Sequence, residues 1–320
     1  MRSPRGRLPS TPANPSLPSL RGLALVAFVG SALVGFAALP GTDVAQAKKH
    51  KKHKAEIVFR CRPNLCAVDV NGKHRRKLTS DGTQAHQYGT AAISLDGKRI
   101  VFQGKDGNPY TADGKLHHIK ALPHKVSPAT LPEIRRNGKQ VLWTYVANGF
   151  GGPYFTTETE NFNGSNDTTA LAGDGSAGFV GTSQFICASR NANHIYVGDF
   201  VAAPPAGSPK PCKDVASEPI FGSIFGYRPK VSGDGKRVVD SFYRNGFSSD
   251  GIYVFNTANA TLVAQLTHTN GDDYPVFSPN GKSILFDRVN GSSSDIYRIP
   301  TAGGTPKLLI AGGSNASWSK

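Results

Sequence analysis

A phrase of the form Ser-x-Asp/Asn-Gly-Lys, followed at once by an apolar stretch, recurs along this 320-residue chain. It reads Ser94-Leu95-Asp96-Gly97-Lys98, Ser232-Gly233-Asp234-Gly235-Lys236 and Ser278-Pro279-Asn280-Gly281-Lys282, with a variant at Arg135-Arg136-Asn137-Gly138-Lys139. Gly97 and Gly138 stand 41 residues apart and Gly235 and Gly281 stand 46 apart; the 97 residues from Gly138 to Gly235 leave room for two units around a worn turn at Gly181-Thr182. Self-similarity at a period of about 40–50 residues marks propellers and solenoids. Asp-Gly and Asn-Gly suit tight two-residue hairpins in which both central residues take positive φ, so each phrase predicts a hairpin.

Four strands fit each unit: an inner strand before the turn, an apolar strand after it, a Tyr-bearing strand, and a short strand ending in Leu. The last unit shows the plan as Tyr274 to Ser278, Ser283 to Phe286, Asp295 to Ile299 and Pro306 to Ile310. Five complete units follow, with the worn one running from Gly178 through Phe185-Ile186-Cys187 and His194 to Val197. The content of 36 Gly and 22 Pro suits such an array of short strands and turns.

Both ends of the repeat region are incomplete. Glu56 to Phe59, Leu65 to Asp69 and Arg76 to Thr79 supply second, third and fourth strands with no inner strand, whereas Asn315 to Ser319 matches an inner strand alone. Joined, they make one more blade, which removes the open edges of the array. The expected fold is therefore all-β, a six-bladed β-propeller of four-stranded antiparallel blades, closed where the C-terminal strand joins the N-terminal blade. Trp318 is expected to be structural.

The pattern Pro-x-Phe-Ser-Pro-Asn-Gly-Lys-x-Ile-x-Phe at 275–286, then Asp295-Ile296-Tyr297, Gly303-Gly304 and a closing Leu, resembles the WD40-like propeller repeat of the TolB family. The resemblance spans about residues 55–320 and is strongest over 227–318. It implies a propeller used for recognition in the cell envelope. TolB proteins carry a further N-terminal α/β domain; here the residues before 55 read differently.

Arg2, Arg5, Arg7 and Arg21 precede the apolar run Leu23 to Leu39, and Ala45-Gln46-Ala47 offers a small-x-small cleavage site. Residues 1–47 thus read as a signal peptide, with an uncleaved anchor through 23–39 as the rival; both put the body outside the cytoplasm, secreted or in the cell envelope. Residues 48–54, Lys-Lys-His-Lys-Lys-His-Lys, form a basic tail and contribute to a net charge of +15. Clustered lysines of this kind suit anionic envelope polymers or lipid headgroups, and a solvated spacer equally. His50 and His53 lack a fixed third ligand, so no metal site is expected there.

The chain's four cysteines, Cys61, Cys66, Cys187 and Cys212, suit disulfides in an oxidising compartment. Cys61 and Cys66 flank the turn-like Arg62-Pro63-Asn64-Leu65, which favours a local bridge and leaves Cys187 with Cys212.

No nucleophile elbow of the Gly-x-Ser-x-Gly type and no His-Glu-x-x-His pair occurs, so the common hydrolase signatures are missing. Gly281-Lys282-Ser283 mimics the end of a phosphate loop, but Val276 stands where its first Gly belongs. Recognition without catalysis, by a monomer with no cofactor and no metal, is the resulting expectation. The partner expected is a protein, peptide or anionic envelope polymer rather than a nucleic acid. A polysaccharide-lyase-like or hydrolytic channel site is the alternative; its only plausible histidine donors are His86, His194 and His268.

In a propeller the starts of the inner strands and the loops between second and third strands share one face. On that face the candidate binding residues are His86, Tyr88, Arg190, Tyr227, Arg228, Tyr243, Arg244, Asp272, Asp273, Tyr274 and Arg288, joined by Gln87, Glu133, Phe247 and Asn290. Tyr and Arg bury area while keeping a polar handle, which is why interfaces favour them. The competing reading packs the tyrosines between blades and pairs the arginines with aspartates.

Overall fold

The structure, a computed structural model, describes residues 54–122, 131–135, 137–149, 152–165, 168–172, 177–180, 184–188, 195–199, 224–226, 229–244, 249–258 and 261–320. Side chains are described within these except over 145–158, 168–226 and 242–250. The expectations for residues 1–53, and for His194, Arg190, Tyr227, Arg228, Phe247 and Cys212, lie outside the described residues. The side chains of Tyr243, Arg244 and Cys187 do so as well. The repeat region falls within one unit that starts at Lys51.

The recurrent phrase makes its hairpin through side-chain chemistry as well as glycine. In the copy at 94–99, Ser94 Oγ donates to Asp96 Oδ1 (2.7 Å) and accepts from the Arg99 N–H (3.0 Å), while the Lys98 N–H donates to Asp96 Oδ1 (3.1 Å). The copies at 232–237 and 278–283 repeat these bonds within 0.1 Å, with Asn280 standing in for the aspartate. One expectation is corrected here. Gly97, Gly138, Gly235 and Gly281 take φ of 69°, 69°, 74° and 69°, but the Asp or Asn before each does not take positive φ. The N–H of each glycine instead donates to the carbonyl three residues earlier, as Gly97 does to Ser94 at 2.9 Å. The loop is a wider turn closed by a left-handed glycine, which the serine hydroxyl bridges.

Among the described residues, twenty-four strands assemble into six antiparallel sheets. The first holds β1 (Glu56–Cys61), β2 (Asn64–Asp69) and β3 (Arg76–Lys77); the second holds β4 (Ala91–Ile93), β5 (Arg99–Gln103), β6 (Pro109–Asp113) and β7 (Lys120–Ala121). The third holds β8 (Leu131–Ile134), β9 (Gln140–Gly149), β10 (Gly152–Asn161) and β11 (Thr168–Ala172); the fourth holds β12 (Ala177–Val180), β13 (Gln184–Ala188) and β14 (Ile195–Asp199). In the fifth, β15 (Ile224–Gly226) and β16 (Lys230–Val231) both pair with β17 (Arg237–Arg244), followed by β18 (Ser249–Asn256) and β19 (Leu262–Gln265). The sixth holds β20 (Asp272–Phe277), β21 (Ser283–Asn290), β22 (Ser293–Pro300) and β23 (Lys307–Ile310).

The C-terminal β24 (Ser314–Trp318) pairs antiparallel with β1 and gives the first sheet its fourth strand, with Trp318 opposite Ile57. Beyond it the Ser319 N–H donates to the Glu56 carbonyl at 2.8 Å. The fold is thus an all-β propeller. The count of six four-stranded blades is corrected: among the described residues five sheets carry the four-strand plan, and the fourth shows three strands. That sheet comes from the worn unit, whose continuation past Asp199 contains Pro204, Pro205, Pro209 and Pro211 in place of a strand signal. Proline supplies no ladder donor, which weakens the pattern there.

Alternation along the strands explains the core. Ile57 and Phe59 on β1 bury with Leu285, Ile296, Ile310 and Trp318 between the first and sixth sheets. Val58, Leu65 and Ala67 bury on the opposite side with Ile93, Ile100 and Phe102 of the second sheet. The first sheet is thus apolar on both faces because it is sandwiched between the sixth and the second. Trp318 is 7% exposed and belongs to the first of these clusters.

Candidate functional site: the channel and its mouth

Inner strands β4, β8, β16, β20 and β24 line a common channel. Its inner part is a cavity of about 170 Å³, walled by apolar side chains such as Ile93, Leu131, Val276 and Trp318. One ion pair crosses it, where Lys230 Nζ donates to Glu133 Oε2 at 2.5 Å. The Trp318 indole N–H lies buried in the same wall with no hydrogen-bond partner.

A second, larger cavity of about 430 Å³ opens at the end of the channel where inner strands begin and second strands end. Arg60, Gln87, Gln103, Lys105, Asp106, Tyr274 and Asn315 stand around it. The repeat explains how they converge. At one position of the second strands stand Arg60, Gln103, Thr144, Ser241 and Asp287; four of them follow an aromatic, Phe59, Phe102, Trp143 or Phe286, and Ser241 follows Asp240. Five sheets therefore carry five different polar residues at one repeat position. Four of the five are buried, and each of these has polar partners: Ser241 Oγ donates to Asp273 Oδ1 at 2.5 Å, and Asp287 accepts the Asn315 N–H at 2.8 Å.

Tyr274 and Asn315, one repeat apart, share another feature. Both take left-handed φ, 55° and 56°, beside a register shift in their pairing with β21 and β1. A non-glycine residue held there costs free energy that its surroundings must offset. For Asn315 the offset is visible, because the Asp287 carboxylate of the next sheet takes its N–H with both oxygens.

The candidates named from sequence separate into distinct roles. Asp272 is fully buried and receives a two-pronged bond from Arg288, Nε to Oδ1 at 2.7 Å and Nη2 to Oδ2 at 2.9 Å. The same guanidinium stacks over Tyr297 at 4.6 Å, and the bonded carboxylate raises its pKa. This pair is a strut between β20 and β21. Asp273 is engaged by Ser241 and by the Tyr274 N–H. Tyr88 donates its hydroxyl to Asp81 at 2.8 Å beside Phe102; burial, then the Asp81 bond, push its pKa up to about 12. His86 is exposed on the loop before β4, and His268 is exposed elsewhere. Tyr274 alone of the described candidates borders both cavities. No group of three or more His, Cys, Asp and Glu poised for a metal occurs among the described residues.

Arg60 and Asn315 escaped the sequence reading. Their signal was the repeat position itself, since an arginine stands where the other blades place neutral or acidic groups. Nearby, Cys61 and Cys66 form the expected disulfide, with Cα atoms 5.8 Å apart, holding the Arg62-to-Leu65 turn at the rim.

No protein-family model matches the chain, and no curated protein matches it. Solved structures do. TolB from Acinetobacter baumannii aligns with a TM-score of 0.64 at 21% identity over 83% of this chain, which spans 66% of the TolB chain. A nidogen/laminin complex aligns at 0.58 and 9% identity, over 82% of this chain and 98% of the other. An oligogalacturonate lyase solved with manganese aligns at 0.50 and 12% identity, over 78% of this chain and 70% of the other. At these identities the likeness is one of fold, and the fold that repeats, strands and comparisons agree on is the TolB-like β-propeller.

Proposed function

We propose that this chain is an exported, non-catalytic scaffold that holds a protein or peptide at the mouth of its propeller channel. One observation carries the reading: a cavity of about 430 Å³ at the channel mouth, rimmed by polar side chains from several sheets. A cavity of that size with a few polar groups in its wall suits an anchoring side chain or chain end. The fold is shared with a protein solved in a nidogen/laminin complex and with TolB, which fits binding of another protein.

Export is supported by the Cys61–Cys66 disulfide, which persists in oxidising compartments, and by the Arg-flanked apolar run with its Ala45-Gln46-Ala47 site. The basic residues 48–54 would then follow cleavage, and the propeller has a turn face where the Ser-x-Asp/Asn-Gly-Lys loops lie. That face already presents exposed Lys98, Lys139, Lys236 and Lys282, so contact with an anionic envelope surface belongs there, opposite the mouth. The lyase likeness gives the enzymatic alternative a fold but no site, because catalysis needs converging titratable groups and the candidate histidines His86 and His268 stand exposed and apart.

The test is recovery of partners from an envelope extract by the full chain. Ala85→Trp, an exposed position beside the cavity, is expected to cut recovery about tenfold, as losing one anchored contact does, whereas Lys282→Glu on the turn face leaves it unchanged. Equal recovery by both variants would sink the mouth as the recognition site.

A further inference from the structure

The rim of the channel mouth contains a cation with no acid partner among the described residues. Arg60 lies on β1 directly opposite Ser314 of β24, half-buried, in the wall of the larger cavity. Its Nη2 donates to Gln87 Oε1 at 3.0 Å, its Nε has no partner, and no carboxylate lies within ion-pair distance of it among the described residues. A guanidinium offers five donors in a planar fork, so most of this one's capacity is unspent. Two other described arginines differ: Arg288 is clamped by Asp272, and Arg99 donates to the Gly138 carbonyl.

Its surroundings sharpen the point. Burial, and then the neighbouring charge of Arg62 on the disulfide-held turn, lower the pKa of Arg60 from its ordinary value. A half-buried charge repelled by its neighbour is costly to leave uncompensated, and an incoming anion compensates it. Beside it, Asn315 Oδ1 is a second polar atom in the same wall that is buried with no partner. One face of the cavity thus offers an unsatisfied cation and an unsatisfied acceptor side by side.

We propose that the Arg60 guanidinium is a carboxylate receptor, and that the partner held at the channel mouth presents a carboxylate to it with an N–H toward Asn315. The inference rests on the recognition reading above and names its ligand chemistry. A planar fork matches a carboxylate with two parallel bonds, and charge-assisted bonds in a partly desolvated site are about twice as strong as neutral ones. Such a carboxylate comes either from a chain end or from an Asp or Glu side chain.

Three short peptides distinguish the sources: N-acetyl-Gly-Gly-Ala with a free C-terminus, its C-terminal amide, and N-acetyl-Gly-Glu-Gly-amide. Each is titrated into the full chain while the Arg Nε–H resonances are followed by NMR. The expected result is movement of the Arg60 resonance with at least one carboxylate peptide and binding about tenfold weaker for the amide. Arg60→Gln is expected to abolish that difference, and Asn315→Gly, which keeps the left-handed φ, to weaken acid and amide alike. An amide that binds as tightly as both carboxylate peptides would overturn the receptor and leave peptide recognition standing. Absence of any Arg60 response to either carboxylate peptide would overturn it too, leaving recognition to the extract test. The comparison of peptides on the unmodified chain decides the matter even if Arg60→Gln does not fold.

Discussion

Asp272 shows how a residue that reads as a binding group turns into a structural one. It is fully buried, and Arg288 reaches it with two bonds while stacking on Tyr297 and Phe286. Asp272→Ala would leave a guanidinium without its counter-charge in a largely closed site. The expected cost is about 3 kcal/mol, read as a lower urea midpoint with an unchanged slope. The turn aspartates behave differently. The Ser232 hydroxyl and then the Lys236 N–H hold the Asp234 carboxyl below its ordinary range, against a small opposing effect of burial. A carboxyl whose folded value is depressed contributes stability above its unfolded value near about 4, and that contribution is lost as pH falls through the folded value. Asp234→Asn copies the Asn280 turn, so it is expected to keep the midpoint near pH 7 and flatten its decline below about pH 4. An unchanged acid slope would show that the turn carboxylate makes no such contribution.

At the scale of elements, β24 is the strand on which most depends. It completes the first sheet, and its Trp318 packs with Ile57, Phe59, Leu285 and Ile296 from two sheets. Trp318→Ala is expected to cost about 4 kcal/mol in equilibrium unfolding, and removal of residues 315–320 to cost more. A loss under about 1 kcal/mol would mean that the strand is an ornament. This pairing was legible because a 41-residue step from Phe277 lands on Trp318, and a missing inner strand at the start calls for one at the end. The Cys61–Cys66 bridge was legible because five residues and a turn bring the sulfurs together whatever the rest does. The left-handed Tyr274 and Asn315 were not, because their conformation comes from a register shift between neighbouring strands that period-2 patterning does not encode. Nor was the turn type, since Asp-Gly and Asn-Gly serve several loops and the serine bridge chooses among them.

For the whole molecule, repetition and its exceptions carry different information. What recurs along the chain, the Ser-x-Asp/Asn-Gly-Lys turn and the apolar strand that follows it, builds the propeller and buries its core. What varies at a fixed repeat position, Arg60, Gln103, Thr144, Ser241 and Asp287, decides what the channel mouth can hold. The sequence reading placed recognition on this face, yet several of the side chains it chose there are tied to one another, and Arg60 lay one residue past the stretch Glu56 to Phe59 that it read as a strand. The account's central claim is that recognition occurs at the channel mouth rather than on the lysine-bearing turn face. A photo-crosslinking amino acid placed at Ala85 in one full-length chain and at Lys282 in another, each exposed to the same envelope extract, tests that claim most directly. Discrete protein adducts from position 85 and none from position 282 are the expected result, and the same adducts from both positions, or adducts from 282 alone, would contradict it.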